Sequence, residues 1–192
     1  MIDILRFLFY KSGSRILRFL ETSEVKAALL RLRKDGHSIH PSVQIDRNVR
    51  LRVSKNGRLA IEEGVRILQD SWIIVEDGDY MFLGRNVFIS QHCTLSGSVT
   101  VGRDSLVAGF VTIVDATHVF DESKVPISQQ GGRKKPVTIG EDVWIGTSSV
   151  ILQGVNIGDH AVIGSNSTVT KDIPPWAIAV GSPAEVLRYR KQ

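Results

Sequence analysis

The feature that most constrains this chain is a beat of six. Between residues 139 and 169 a branched aliphatic residue recurs at every sixth position: Ile139, Ile145, Ile151, Ile157, Ile163 and Val169. The residue four places after each anchor is small or aliphatic throughout (Val143, Ser149, Val155, Ala161, Ser167, Ile173), and the positions between are mostly polar, small or charged. Two positions in six therefore face inward. Six is a multiple of the strand period of two and not of the helical 3.6, so short extended segments joined by tight corners present the same face inward at every repeat. The same beat runs through Ile61, Ile67 and Ile73, through Leu83, Ile89 and Leu95, and through Val101, Val107 and Ile113, with Gly78, Gly97 and residues 115–136 read as interruptions. Sixes grouped in threes make a triangular coil of eighteen residues, and stacked coils pair their backbone amides with the coils above and below. The predicted fold is all-β, a parallel β-helix over residues 38–192.

Residues 1–37 follow a different period. Their apolar positions recur at helical spacing (Leu5, Leu8, Phe9; Ile16, Phe19, Leu20; Val25, Leu29, Leu30, Leu32), broken near Ser12-Gly13-Ser14. Residues 1–36 also carry 8 Lys/Arg against 4 Asp/Glu, whereas the remainder carries 16 against 16, so the whole net charge of +4 sits at this end. Two readings fit. The segment caps the open end of the stack, as terminal units of repeat folds require, or residues 1–20 rest on an anionic membrane surface with Phe7, Phe9 and Leu17 dipping in.

Composition excludes several classes. An apolar content of 42% against 23% charge supports a packed core rather than disorder, and no apolar run is long enough to cross a bilayer. The N-terminus shows no small-residue cleavage site, and the single cysteine, Cys93, cannot form an internal disulfide. A cytoplasmic location is expected, with peripheral contact at the inner face of the cytoplasmic membrane under the second reading of residues 1–20. Aromatic content of 7% provides no stacking surface for nucleic acid, which is not expected as a partner.

The stretch from Thr138 to Thr147 (TIGEDVWIGT), followed by Ile157-Gly-Asp, Ile163-Gly-Ser, Val169-Thr-Lys-Asp-Ile-Pro174 and Gly181-Ser-Pro-Ala184, resembles the hexapeptide-repeat acyltransferases, in particular their sugar O-acetyltransferase branch, which includes maltose, galactoside and O-antigen acetyltransferases. The resemblance covers residues 40–190 and implies a left-handed coil, acetyl-CoA as co-substrate, a saccharide acceptor and a homotrimer with its sites between subunits. The expected reaction is acetyl-CoA-dependent O-acetylation of a saccharide hydroxyl, on a bacterial surface polysaccharide or a lipid-linked glycan precursor. N-acetylation of an amino sugar on a nucleotide or lipid carrier uses the same donor and is the alternative.

Residues 115–136 break the beat before Val137 resumes it, as a loop extruded from one corner would. His118 stands near its rigid edge, and an imidazole titrating near neutrality suits proton transfer from an attacking hydroxyl; Thr117-His118 before an extruded loop matches the family's catalytic histidine. The resemblance also implies that the backbone amide of Thr147 steadies the oxyanion. Trp144 is expected at the cleft beside the loop. Gly146, Gly164 and Ser165 are expected along the pantetheine path, with Lys171 and Arg188 at the coenzyme A phosphates. His92 stands where the family holds the acceptor; the branch often carries asparagine there, and a structural histidine reads equally well. Asp115 and Glu122 are read as orienting the imidazole or binding sugar hydroxyls, or as solvated loop charges. His37, His40 and His160 are assigned no role.

Three rivals share features of this pattern. A gamma-type carbonic anhydrase needs three histidines converging on zinc, which His118 lacks, so no metal is expected. A sugar-nucleotide uridylyltransferase needs a nucleotide domain for which residues 1–37 are too few. A silent β-helix scaffold is permitted by the repeats, and His118, Thr147 and the C-terminal motif argue against it.

Overall fold

The computed structural model describes residues 23–191, so the membrane reading of residues 1–20 lies outside them. Six triangular coils stack into a left-handed parallel β-helix with three flat faces. Face A carries Ser38–Ile39, Arg58–Ile61, Tyr80–Leu83, Val99–Val101, Val137–Ile139 and Asn156–Ile157. Face B begins at Gln44–Ile45 and includes Phe88–Ile89, Leu106–Val107, Trp144–Ile145 and Val162–Ile163; face C begins at Arg50–Val53 and ends at Thr168–Val169. The strands of the stack run parallel and in register, as in Ile89 beside Val107 and Val107 beside Ile145. All the sixth-residue anchors from Ile61 onward are buried, as are the residues four places beyond them from Val137 onward.

The corners explain the rest of the repeat. At the A/B corner Asn86, Asp104, Asp142 and His160 all hold φ between 50° and 62°, and at the B/C corner Asn48, Asp70, His92, Phe110, Ser148 and Asn166 hold φ between 57° and 63°. Positive φ at the third residue defines a type II turn, which asparagine, aspartate and glycine enter at least cost. Inside the B/C corner, serines alternate with apolar residues, and their hydroxyls tie one coil to the next. Ser71 donates to Ser90 O (3.0 Å) and Ser149 to Gly164 O (2.9 Å). Cys93 occupies the same column, fully buried, with its Sγ 3.1 Å from Ala108 O. Desolvation pushes the thiol up from its ordinary 9.0 to about 11, so it is neutral across the usual pH range.

The register differs from the sequence reading at one interruption. Leu95 and Val101 are six apart and both buried, so Gly97, at φ +92°, turns an ordinary C/A corner rather than breaking the beat. Gly78 does mark an extension: the anchors Ile73 and Leu83 are ten apart, with residues 76–79 bulging from the C/A corner. The loop at 115–136 leaves the same corner two coils later.

Helix α1, Ser23–Lys34, covers the first coil. It ends in a Schellman motif, with Gly36 at φ +89°, His37 N donating to Leu32 O and Gly36 N to Arg33 O. Leu29 is buried in the core while Leu30 is 57% exposed, and the Arg33 guanidinium donates to Ile39 O and His40 O of the first strand's corner. For the described part of residues 1–37, the capping reading describes the contacts. No helix among the described residues is long and apolar enough to cross a membrane.

Close stacking sets a steric limit that a single methyl group tests. A Cβ on Gly102 would lie 2.5 Å from the backbone carbonyl of Gly140 on the next coil, where neither partner can move without breaking the ladder. Gly102→Ala is expected to destabilise the fold by about 1–3 kcal/mol, the range for overpacking. A urea midpoint equal to wild type would contradict that limit.

Candidate functional site

The extruded loop is a pinned hairpin. Ala116–His118 pairs antiparallel with Gly132–Lys134, setting His118 opposite Gly132. The base is fastened by two acids. Asp115 is 2% exposed and its Oδ2 accepts from Ser98 N at 2.7 Å, in the space that a side chain on Gly97 would otherwise take. Asp79, on the bulge at residues 76–79, is 5% exposed and accepts from Lys134 Nζ through both oxygens (2.8 and 3.0 Å), from Ser98 Oγ and from Glu76 N. That hydrogen bond to Asp79 raises the Lys134 pKa against the opposing effect of desolvation. The ammonium is therefore held charged over the buried carboxylate.

Farther out, Arg133 pairs with Asp121 at 2.6 Å, and the Gln130 amide bridges Glu122 N, Glu122 O and Val125 O. His118 is exposed at the end of the hairpin strand, and its ring makes no hydrogen bond among the described residues. It is a free imidazole on a rigid mount.

The B/C corner supplies the second constellation. Gly146-Thr147 sits directly over Gly164-Ser165, with Gly146 N donating to Ile163 O and Asn166 N to Thr147 O. A Cβ on Gly146 would meet Ser165 N at 2.6 Å, so glycine is required for the coils to close. Because Thr147 is the second residue of its type II turn, its N–H points away from the ladder and donates to nothing among the described residues. The amides of Gln91, Gly109 and Ser165 at equivalent places are likewise unpaired.

The structure gathers some of the expected residues and separates others. Thr147, Gly146, Gly164 and Ser165 share one corner, with His92 lower on the same edge. His118 leaves from the C/A corner, at the far side of face C. Trp144 requires correction: it is an outward residue of face B, 52% exposed in a ladder between Leu106 and Val162, and is not beside its own chain's loop. The six-residue register puts it one full face away from where the loop emerges. Asp115 is corrected too, since its carboxylate turns inward to Ser98 rather than out to the imidazole. Glu122 is exposed, and the contacts recorded there are those of its backbone.

Lys171 lies 3.9 Å from Glu185 and Arg188 pairs in the tail hairpin opposite Ile178; both side chains are exposed. His92 is exposed, and its ring stacks on Phe110 at 4.8 Å.

Sequence reasoning missed the Asp79–Lys134 bracket and the fastening of the tail. His160 Nδ1 and Arg190 Nη1 each lie 3.0 Å from Asp142 Oδ2, and Trp176 packs on His160 at 4.1 Å. Burial opposes the Asp142 charge, but the hydrogen bonds from His160 and Arg190 outweigh it and hold the carboxyl below its ordinary range. The signal for His160 was its place in the corner column above Asp142.

Comparison with known proteins agrees with this architecture. Residues 136–171 match the bacterial transferase hexapeptide family (six repeats). The chain is 35% identical over 143 residues to the galactoside O-acetyltransferase of Escherichia coli, covering 71% of this chain and 69% of that one. A crystal structure of a maltose O-acetyltransferase from Clostridium difficile 630 superposes with a TM-score of 0.61 at 25% identity, over 99% of this chain and 84% of the other. A variant of AntD, an N-acyltransferase from Bacillus cereus in complex with dTDP and coenzyme A, shares the fold with a TM-score of 0.68 at 20% identity, over 85% and 89%. For several other curated relatives the match spans little more than half their length, or less.

The bracket at the hairpin base can be tested directly. Lys134→Met leaves the Asp79 carboxylate buried without its cation and is expected to cost about 1–3 kcal/mol, less than for a wholly buried pair because the ammonium is half exposed. Hydrogen exchange should quicken at the Val119 and Lys135 amides; unchanged protection there would mean that the pair does not hold the hairpin.

Proposed function

Because the chain belongs to the hexapeptide-repeat acyltransferases, we propose that it transfers an acetyl group from acetyl-CoA to a hydroxyl of a saccharide. The observation that carries this reading is the mounting of His118: an imidazole with no hydrogen-bond partner among the described residues, on a hairpin whose base is pinned by two buried carboxylates. His118 takes the proton from the acceptor hydroxyl as the oxygen attacks the thioester carbonyl. The resulting oxyanion accepts from the unpaired Thr147 amide, a donor fixed before the charge develops. Collapse expels the thiolate of coenzyme A, which receives the proton held by His118, leaving an O-acetyl ester and free coenzyme A. No covalent enzyme intermediate is needed.

Gly146, Gly164 and Ser165 form the wall along which pantetheine runs, with Lys171 and Arg188 meeting its phosphates at the tail. His92, Asp115 and Glu122 were candidates for the acceptor; the inward-facing Asp115 supports the loop instead, which leaves His92 and Glu122. The acceptor fits a surface polysaccharide or a lipid-linked precursor, met at the inner leaflet if residues 1–20 hold the protein there.

The prism shape bears on assembly. The C/A corner from which the His118 hairpin leaves and the B/C corner that holds Thr147 are at opposite ends of face C, six residues of extended chain or roughly 15–20 Å apart at about 3.3 Å per residue. One chain does not bring base and oxyanion donor together. Two neighbouring chains do, with the C/A corner of one set against the B/C corner of the next, and repetition of that heterologous contact closes as a homotrimer with three shared sites.

Two experiments follow. Labelled acetyl from acetyl-CoA should enter an envelope glycan extract with wild type and be lost at least 100-fold with His118→Ala, and mild alkali should release it as an ester. Alkali-stable label would indicate an amide and promote N-acetylation of an amino sugar. For the shared site, His118→Ala and Thr147→Pro, which deletes the amide donor at a turn position that tolerates proline, should each be inactive. Mixed and reassembled they should recover a measurable fraction of wild-type turnover, and no recovery would place both groups within one chain's site.

A further inference from the structure

The edge at the B/C corner has a direction. Thr147 is on the fifth coil, Ser165 on the sixth, and the tail cations lie beyond, so on the reading above the coenzyme occupies the C-terminal half of this edge. The acceptor must then approach Thr147 from the N-terminal half. What stands there is an aromatic step: His92 on the third coil and Phe110 on the fourth, with rings stacked at 4.8 Å and 17° apart in plane.

Phe110 is anomalous in two respects. Its backbone is left-handed, φ +63°, at a corner position filled on other coils by Asn48, Asp70, His92, Ser148 and Asn166, all polar. A residue branching to a bulky ring is disfavoured in that conformation. It is also 54% exposed. Trp176, the other phenylalanine, tyrosine or tryptophan with positive φ among the described residues (φ +65°), is compensated by His160 against its ring and Arg190 over it. Among the described residues the ring contact of Phe110 is with His92 on one face, and the next residue in its column, Ser148, is too small to cover the other. Gly109 beside it carries no side chain, and the Thr147 amide one coil on makes no hydrogen bond among the described residues.

We propose that Phe110, backed by His92, is the stacking platform for the acceptor's pyranose ring and determines its specificity. A sugar presents an apolar face of C–H groups flanked by hydroxyls. Such a face packs on an exposed aromatic ring, and the one-coil rise of about 4.8 Å then brings a hydroxyl level with the thioester held at Thr147. Strain kept at an uncompensated position is expected where a ligand provides the missing contact.

This proposal rests on the acyltransferase reading, and a binding measurement separates the two. Saturation-transfer NMR with three probes, a galactoside, maltose and a dTDP-linked amino sugar, reports stacking without turnover. Wild type should saturate the ring protons of at least one probe, and Phe110→Asn, which suits the left-handed corner, should reduce the effect at least fivefold with a melting temperature equal to or above wild type. In the acetyl-transfer assay the same variant should raise KM for that saccharide at least tenfold and leave KM for acetyl-CoA unchanged.

Saturation of none of the probes, or equal saturation in Phe110→Asn, would overturn the platform, as would a changed oligomeric state or an altered KM for acetyl-CoA alone, which would assign Phe110 to a subunit contact or to the donor. Saturation that depends on Phe110 without His118-dependent transfer would instead overturn the acyltransferase reading while leaving the platform standing.

Discussion

The whole structure depends on the ladder of backbone hydrogen bonds between successive coils. Along each face the donating N–H groups reach the carbonyl of the residue just before the register partner one coil away, with N···O distances close to 2.9 Å, as in Thr138 N to Val155 O, where the partner of Thr138 is Asn156, and Gly140 N to Ile157 O. That spacing leaves no tolerance at the corners. Glycine is required at Gly102 and Gly146 because a neighbouring backbone occupies the space of a side chain. Serine is accepted inside the corner at Ser71, Ser105 and Ser149 because its hydroxyl finds a carbonyl there, and a buried hydroxyl without one would cost about 1–3 kcal/mol. The ladder therefore selects both the six-residue beat and its exceptions.

A fold this regular confines its chemistry to the places where regularity is relaxed. The faces are committed to hydrogen bonding, so variation accumulates at the C/A corner: the bulge at residues 76–79 and the hairpin at 115–136 both leave there, two coils apart. Their vertical alignment has a physical consequence. The bulge delivers Asp79 to the level at which Lys134 descends from the hairpin, and Ser98 between them contacts both Asp79 and Asp115. The loop is long, yet its base is tied to the solenoid through Asp115 and the Lys134–Asp79 pair, beneath an exposed imidazole that has no hydrogen-bond partner among the described residues.

How much of this was legible in the sequence depended on range. Anchors such as Ile139 and Ile163 declare themselves because burial repeats at a fixed period, whereas Thr147 was singled out through the resemblance and its corner emerges from the structure. Asp79 and Lys134 are 55 residues apart, and their meeting depends on a four-residue extension whose direction no local pattern reveals. Asp115 was read as part of the loop because the beat stops there, and a shift of one residue decides whether its carboxylate faces solvent or the solenoid. Trp144 was placed at the cleft beside the loop by the resemblance, and the count of six puts it on face B, a full face from where its own chain's loop emerges. Phe110 could have been found by aligning the corner columns, where an aromatic among asparagine, aspartate and serine is conspicuous.

The triangular section also imposes a logic on any two-group mechanism. Under the proposed reaction the loop that would carry the base leaves the C/A corner, which among the described residues is the extended one, whereas amides without a partner there, such as that of Thr147, stand at the B/C corner. Neither can migrate to the other without breaking the register of face C. Under the proposed reaction a single solenoid carries two half-sites on different corners, and a neighbouring prism would complete them without disturbing its internal order. The corners differ in another way that matters for turnover. The edge at B/C runs uninterrupted along the described coils, which under the same proposal lets donor and acceptor enter from opposite ends toward Thr147.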